Sequence, residues 1–257
     1  MDPRDPKADL RTFYEQSYER GATVAPLLDE QDFMYGQVLA ELRPHLRPGI
    51  RALDLGCNDG ALSLYLARHD CRVLGVDLAA NAVATAAASA RAHAVSGAEF
   101  RQIDFLAEWK EEGAFDLVLC SHVIEHVPDD AAFLKAIASA MAPGGALVLM
   151  TPTVHSLLYS WYRWQGKELP FDVEVGHLRR YDRERLVSLA RSAGLEVDRV
   201  AFLDSPLREL TIIPKLLRRS QAILSLPGIR SAWNGLDRFV ARWCFPATIC
   251  IHARRPA

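Results

Sequence analysis

Residues 52–60 read Ala52-Leu53-Asp54-Leu55-Gly56-Cys57-Asn58-Asp59-Gly60. An apolar run ends on a carboxylate, and glycines follow at 56 and 60. This is the pattern of a buried strand closing in a tight turn where backbone and a ligand approach closely. The next apolar run, Val73-Leu74-Gly75-Val76, closes on Asp77. A carboxylate about 20 residues past such a loop suits a ribose diol, since it accepts from both hydroxyls.

The loop departs from the dinucleotide fingerprint, because Asn58 stands where a second glycine is wanted. Asp54 and Asp59 also place negative charge where a pyrophosphate would sit. A cationic nucleoside without phosphate fits this charge better, which favours S-adenosylmethionine (SAM) over NAD. Further along, residues 98–105 end on Asp104-Phe105, a carboxylate for an adenine amino group beside a ring to cover the base. Phe115-Asp116-Leu117-Val118-Leu119-Cys120 reads as a fourth strand, followed by Ser121-His122-Val123-Ile124-Glu125-His126. Residues 141–152 read as a helix end, a turn and a fifth strand.

Taken together, LDLGCNDG (53–60), GVD (75–77), DF (104–105), FDLVLCSHVIEHV (115–127) and APGGALVLMTP (142–152) resemble the motifs of class I SAM-dependent methyltransferases, in family order. GHLRRYDRERLVSLARSAGLEV extends the likeness to residue 197. The type is that of small-molecule enzymes such as the polyprenyl-phenol (ubiquinone-pathway) O-methyltransferases. The resemblance implies an α/β fold: a Rossmann-like seven-stranded sheet with helices on both faces and helical additions at each end. It implies SAM as cofactor, with Asp54, Gly56, Cys57, Asn58 and Gly60 around the methionine part and the turn. Asp77 would take the ribose, Asp104 the adenine amino group, Leu78 and Phe105 the adenine faces, and Ser121 or His122 the sulfonium side.

The acceptor side is left open between readings. His126 is a hydrogen-bonded structural residue, or a general base suited by an ordinary pKa near 6.5. His122, Glu125 and His126 would alternatively form a metal set; the resembled families carry a glutamate at the position of His122, and two imidazoles with one carboxylate suit a transition metal better than magnesium. His177 either faces the acceptor or braces the following helix, with Asp182 as its cap. His155 is a weaker candidate, and Arg179 and Arg180 would either be solvated at the surface or grip an acidic group of the substrate.

Composition sets outer bounds. Of 257 residues, half are apolar and a quarter charged, with net charge −2, so no global field calls for nucleic acid. Five scattered cysteines with no CxxC pair read as buried thiols in a reducing cytoplasm. No stretch reads as a membrane span. The expected organisation is a helical cap (1–46), a SAM-binding core (47–202), a helical insertion (203–245) and a last strand (246–257). Alternating strands and helices over 51–151 imply a parallel sheet, with any ligand at the carboxyl ends of its strands. Residues 152–182 lose periodicity and gather aromatics. Residues 206–245 hold seven Lys/Arg against two acids, interleaved with Leu, Ile and Trp; this segment is a lid, an oligomer face, or a surface for membrane and lipid-linked substrate. The expected activity is O-methylation of a small molecule. The alternatives are an RNA or protein methyltransferase and a non-catalytic SAM-binding scaffold.

Overall fold

A computed structural model describes residues 10–18, 23–30, 32, 34–208 and 227–257. Two helices lead in, α1 (Leu10–Tyr18) and α2 (Gly36–Leu42). Strand–helix alternation follows: β1 (Arg51–Leu55), α3 (Ala61–Ala67), β2 (Arg72–Asp77), α4 (Ala80–Ala92), β3 (Ala98–Gln102), α5 (Phe105–Glu108), β4 (Phe115–Ser121), α6 (Asp130–Ala140) and β5 (Met141–Pro152). The remainder is α7 (Leu157–Trp164), α8 (Pro170–Val175), α9 (Arg183–Ser192), β6 (Glu196–Leu203), α10 (Pro227–Ala241) and β7 (Thr248–Arg254). Residues 209–226, inside the expected insertion, lie outside the described residues.

The seven strands run in the order β3-β2-β1-β4-β5-β7-β6. The first five are parallel, but β7 enters antiparallel between β5 and β6. The sheet is therefore mixed, where alternation alone implied a parallel one. Strand β6 reaches the rest of the sheet through β7. The turn expected within 141–145 is an irregularity inside β5: Phe115 pairs with Met141, then Leu117 with Ala146.

Both faces of the sheet are covered, which is why its central strands read as nearly unbroken apolar runs. Leu53 and Leu55 of β1 point to the layer with Phe133, Leu134 and Ile137 of α6. Ala52 points to the other, with Leu39 of α2 and Tyr65 of α3. Each fully buried aliphatic side chain contributes about 1.5–3 kcal/mol. Helix starts are fixed by side-chain caps: Asp129 accepts from Ala132 N at 2.8 Å, and Asp182 from Arg185 N at 2.7 Å. Helix α2 is tied to the sheet by Glu41, whose carboxylate meets His252 of β7 at 2.7 Å and also contacts Arg199 of β6.

Two expectations need correction. Residues 152–182 are not irregular, since they form α7 and α8. Cys57, Cys71, Cys120 and Cys250 are buried thiols, but Cys244 is exposed. No helix among the described residues is long and apolar enough to cross a membrane.

Candidate active site

A cavity of about 570 Å³ opens at the carboxyl ends of β1, β2 and β4. Its walls include Gly56, Asp77, Leu78, Asp104 and Phe105 on one side, and His122, Val123 and His126 on the other. Arg11 and Tyr14 of α1 close over it, a contribution the sequence did not announce. Helix α1 is held there by Asn81, whose side-chain amide donates to Glu15 O at 2.6 Å, and by an Arg11–Glu108 ion pair of 3.1 Å.

The glycine loop is shaped by contacts that a Cβ would spoil. Gly56 has φ +70°, and a Cβ on it would lie 2.5 Å from Val123 Cγ2. Gly60 has φ +87° and would meet Ala86 at 3.0 Å. Between them Asn58 has φ +50°. Asparagine is among the side chains best tolerated in this left-handed region, which accounts for its standing where glycine is usual.

Asp77 is nearly buried and accepts from Asn58 N and Ala79 N, each at 3.0 Å. Burial outweighs these bonds and raises its pKa above the ordinary value. A carboxylate has about four acceptor positions, so capacity remains for a diol. Asp104 caps α5 by accepting from Ala107 N at 3.1 Å, while Phe105 packs on Trp109 and Phe133.

Asp54 is placed differently from the cofactor contacts on the wall. Strand alternation turns it toward α3, where its carboxylate accepts from Ser63 Oγ at 2.6 Å, and burial pushes its pKa up to about 6. It supports the loop from beneath. Cys57 is also buried, and Ser121 is half-buried at the end of β4; neither they, Asn58 nor Gly60 line the cavity.

On the opposite wall, charged and imidazole groups converge on Glu125, which is fully buried. Its carboxylate accepts from Thr151 Oγ1 at 3.0 Å and meets His122 Nδ1 at 3.2 Å. Burial would raise the pKa of Glu125, but the hydrogen bond from His122 holds it below the usual value. For His122 burial acts to lower the pKa, and the bond and charge of Glu125 overcome it and raise the value. His122 also adopts φ +56°, a strained turn directly after β4.

His126 and His177 are neighbours, with ring centroids 4.9 Å apart. The chain achieves this by zipping residues 176–181 onto the sheet edge: Leu178 N donates to Glu125 O at 2.9 Å and Tyr181 N to Pro152 O at 3.1 Å. Gly176, at φ +79°, ends α8 immediately before His177. His177 Nδ1 lies 2.8 Å from Asp172, which Arg180 grips through two bonds of 2.8 and 2.6 Å. Arg180 is thus internal rather than solvated, and Arg179 pairs with Asp130 at 3.2 Å. His177 does not brace α9; Asp182 alone caps it. His155 is exposed.

His126 Nδ1 is 3.3 Å from Gly176 O, a carbonyl that can only accept. The proton therefore sits on Nδ1 and the lone pair on Nε2. Burial lowers the His126 pKa, against the pull of Glu125, so the ring is neutral at pH 7. Glu125, His126 and His177 also bring a carboxylate oxygen and two ring nitrogens within 4.8 Å of one another. His122 meets Glu125 as an ion-pair partner.

A family model described as a methyltransferase domain matches residues 29–200. The chain belongs to the methyltransferase-domain family. A Xanthomonas axonopodis pv. citri protein named ubiquinone biosynthesis O-methyltransferase is 33% identical over 175 residues, 64% of this chain and 69% of that protein. A Xanthomonas campestris pv. campestris (strain B100) protein of the same name is 39% identical over 110 residues. That alignment takes in 40% of this chain and 44% of the relative, so the chain matches less than half of the relative's length. A putative sarcosine dimethylglycine methyltransferase from Galdieria sulphuraria superposes with TM-score 0.65 at 16% identity, over 97% of this chain and 99% of its own, which shows the shared fold. The expected fold class and SAM as methyl donor of this methyltransferase family both stand with these matches.

Proposed function

We propose that the chain transfers the methyl group of SAM to a hydroxyl oxygen of a small molecule, with His126 as the base that takes the hydroxyl proton. One observation carries this reading. His126 stands on the wall of the cavity as a neutral imidazole with Nδ1–H engaged by Gly176 O, which leaves Nε2 as an acceptor across from Asp77 and Asp104.

The residues present suit SAM: two carboxylates for hydroxyl and amino groups, Leu78 and Phe105 for a flat base, and glycine at the closest approach. When bound, SAM supplies a methyl group on positively charged sulfur, already activated toward displacement. The chain then has to bind, align and deprotonate. Asp77 and Asp104 would fix the nucleoside. Holding an acceptor in line with the methyl lowers the barrier by several kcal/mol, up to about 7–11 for the best-aligned reactants. His126 Nε2 would take the acceptor proton, worth roughly 10²–10⁴-fold. Glu125 steadies the resulting imidazolium, and the Arg180–Asp172–His177 chain keeps the neighbouring ring in position.

Among the candidate acceptors, a phenol or a lipid-linked metabolite suits this wall better than a sugar hydroxyl, because apolar Val123, Val127 and Phe133 line the cavity that His126 lines. Four buried free thiols suit a reducing cytoplasm. The close set Glu125, His126 and His177 favours a second reading, in which a transition metal assists deprotonation at the same place. Labelled SAM incubated with fractionated metabolites tests the proposal. Label should appear in one fraction and be lost with His126→Ala, while SAM affinity is retained. SAM binding without turnover in any fraction would favour a non-catalytic scaffold, and loss of turnover with EDTA would favour the metal.

A further inference from the structure

Away from the cavity, side chains from α2, β6 and β7 converge on one ring nitrogen. Cys250 and His252 stand two apart on β7, so both turn to the face of the sheet that α2 covers. Glu41 reaches them from α2, and Arg199, paired in register with His252, reaches them from β6. His252 Nε2 lies 2.7 Å from the Glu41 carboxylate, 2.6 Å from an Nη of Arg199 and 3.6 Å from Cys250 Sγ. That nitrogen carries either a proton or a lone pair. With a proton it serves Glu41 and opposes the guanidinium; with a lone pair it accepts from Arg199 and opposes the carboxylate. Protons alone therefore cannot satisfy every contact around it. On the other side of the ring, His252 Nδ1 meets Nε2 of His45 at 2.8 Å, in the turn Arg43–His45 that follows α2. Glu41, Cys250 and His252 are all buried, and their oxygen, sulfur and nitrogen lie within 4.8 Å of one another.

We propose that Glu41, Cys250 and His252 bind a zinc ion at the place now taken by the Arg199 guanidinium. A thiolate, an imidazole and a carboxylate form a zinc donor set, whereas magnesium and calcium call for oxygen alone. Tetrahedral bonds of about 2.0–2.3 Å set ligand atoms about 3.3–3.6 Å apart. The 3.6 Å between Nε2 and Sγ already meets this, and the gap between Nε2 and Glu41 has to open by only about 0.6 Å. Zinc also removes the conflict at the nitrogen: Nε2 gives its lone pair, Glu41 its negative charge, and Cys250 releases its thiol proton to solvent on binding. Nδ1–H then donates to Nε2 of His45, the kind of contact that fixes the orientation of a ligating ring. Arg199 is the competing cation. Its side chain is 49% exposed, so it can swing outward as the ion enters and leave the fourth position to water. With only three protein ligands the ion is exchangeable. None of these residues lines the cavity. The ion would act as a clasp between α2 and the strand that completes the sheet, and it stands apart from the methyl-transfer reading.

The full chain, stripped with a chelator, should be titrated with cobalt(II), whose thiolate complexes absorb in the near ultraviolet, and then with zinc as competitor. A thiolate band is expected with cobalt and should disappear as zinc displaces it. Cys250→Ser should lose the band. Cys244→Ser should keep it, and so should His126→Ala, which separates this site from the cluster on the cavity wall. Arg199→Gln should bind cobalt about tenfold more tightly, because the competing charge is gone. Zinc at about 100 times its dissociation constant should raise the Tm of the parent by about 5–10 °C and leave that of Cys250→Ser unmoved. Circular dichroism of each metal-free variant checks folding, and Arg199→Gln, altered at a half-exposed side chain, decides the matter if Cys250→Ser does not fold. Turnover is not read, so the outcome is independent of the proposed activity. No thiolate band in the parent, a band that survives in Cys250→Ser, or cobalt binding no tighter in Arg199→Gln overturns the inference.

Discussion

Replacing Gly56 by alanine isolates the contact that shapes the cofactor side of the cavity. At φ +70° an L-residue costs about 1–2 kcal/mol. The added Cβ also lies 2.5 Å from Val123 Cγ2. Valine is stiff at χ1, so relief requires moving the segment that carries His122 and Val123, an overpacking cost of roughly 1–3 kcal/mol. Together these come to about 2–5 kcal/mol, a fall in Tm on the order of 5–15 °C for a chain of this size. Gly113→Ala is the matched control, with φ +62° and open space around its Cβ; only the backbone cost of about 1–2 kcal/mol should appear there. If Val123 yields into the cavity, bound SAM has to push it back. Each 1.4 kcal/mol of restored clash then costs tenfold, so SAM affinity should fall roughly 5–100-fold. Scanning fluorimetry and calorimetric titration of both variants check this. Equal melting and unchanged SAM affinity in the two would refute the idea that backbone-to-Val123 contact fixes this loop.

His126→Gln should lower kcat by about 10²–10⁴-fold with little change in SAM affinity, measured once an acceptor is in hand. Because the His126 pKa is lowered, the parent rate should be flat through neutral pH and fall only below about 6.5. Asp77→Asn, read by calorimetry, should weaken SAM by roughly ten- to a hundredfold, as expected for hydrogen bonds to a charged group. The His122–Glu125 pair should stabilise the fold most between about pH 4.5 and 6.5. Its contribution is lost as pH falls through the lowered Glu125 pKa and as it rises through the raised His122 pKa; chemical denaturation of Glu125→Gln across this range should show the optimum flattened.

The cofactor half was legible because covered strands are apolar throughout and their ends are marked by Asp54, Asp77 and Asp104. Which way those side chains turn was not equally plain. Asp54 shares the face of Ala52, and alternation alone sends it under α3 rather than to the cavity. Helices α7 and α8 escaped notice because short helices carry little propensity of their own; here Arg180, bound to Asp172 and stacked over Tyr159, holds them. The pairing of His126 with His177 spans about fifty residues of chain and depends on backbone bonds that no local pattern announces. In α10 no clear face was legible in the sequence, since Arg208, Ser205 and Gln37 decide from elsewhere which side is inward.

The antiparallel insertion of β7 has a consequence for how the molecule is made. A ribosome emits β6 while the ladder it must join does not yet exist, and then emits the whole basic, aromatic stretch before Thr248–Arg254 arrives. At about 5–20 residues per second the nascent chain spends seconds with β6 unpaired. A five-stranded intermediate of this kind is a natural client for a chaperone.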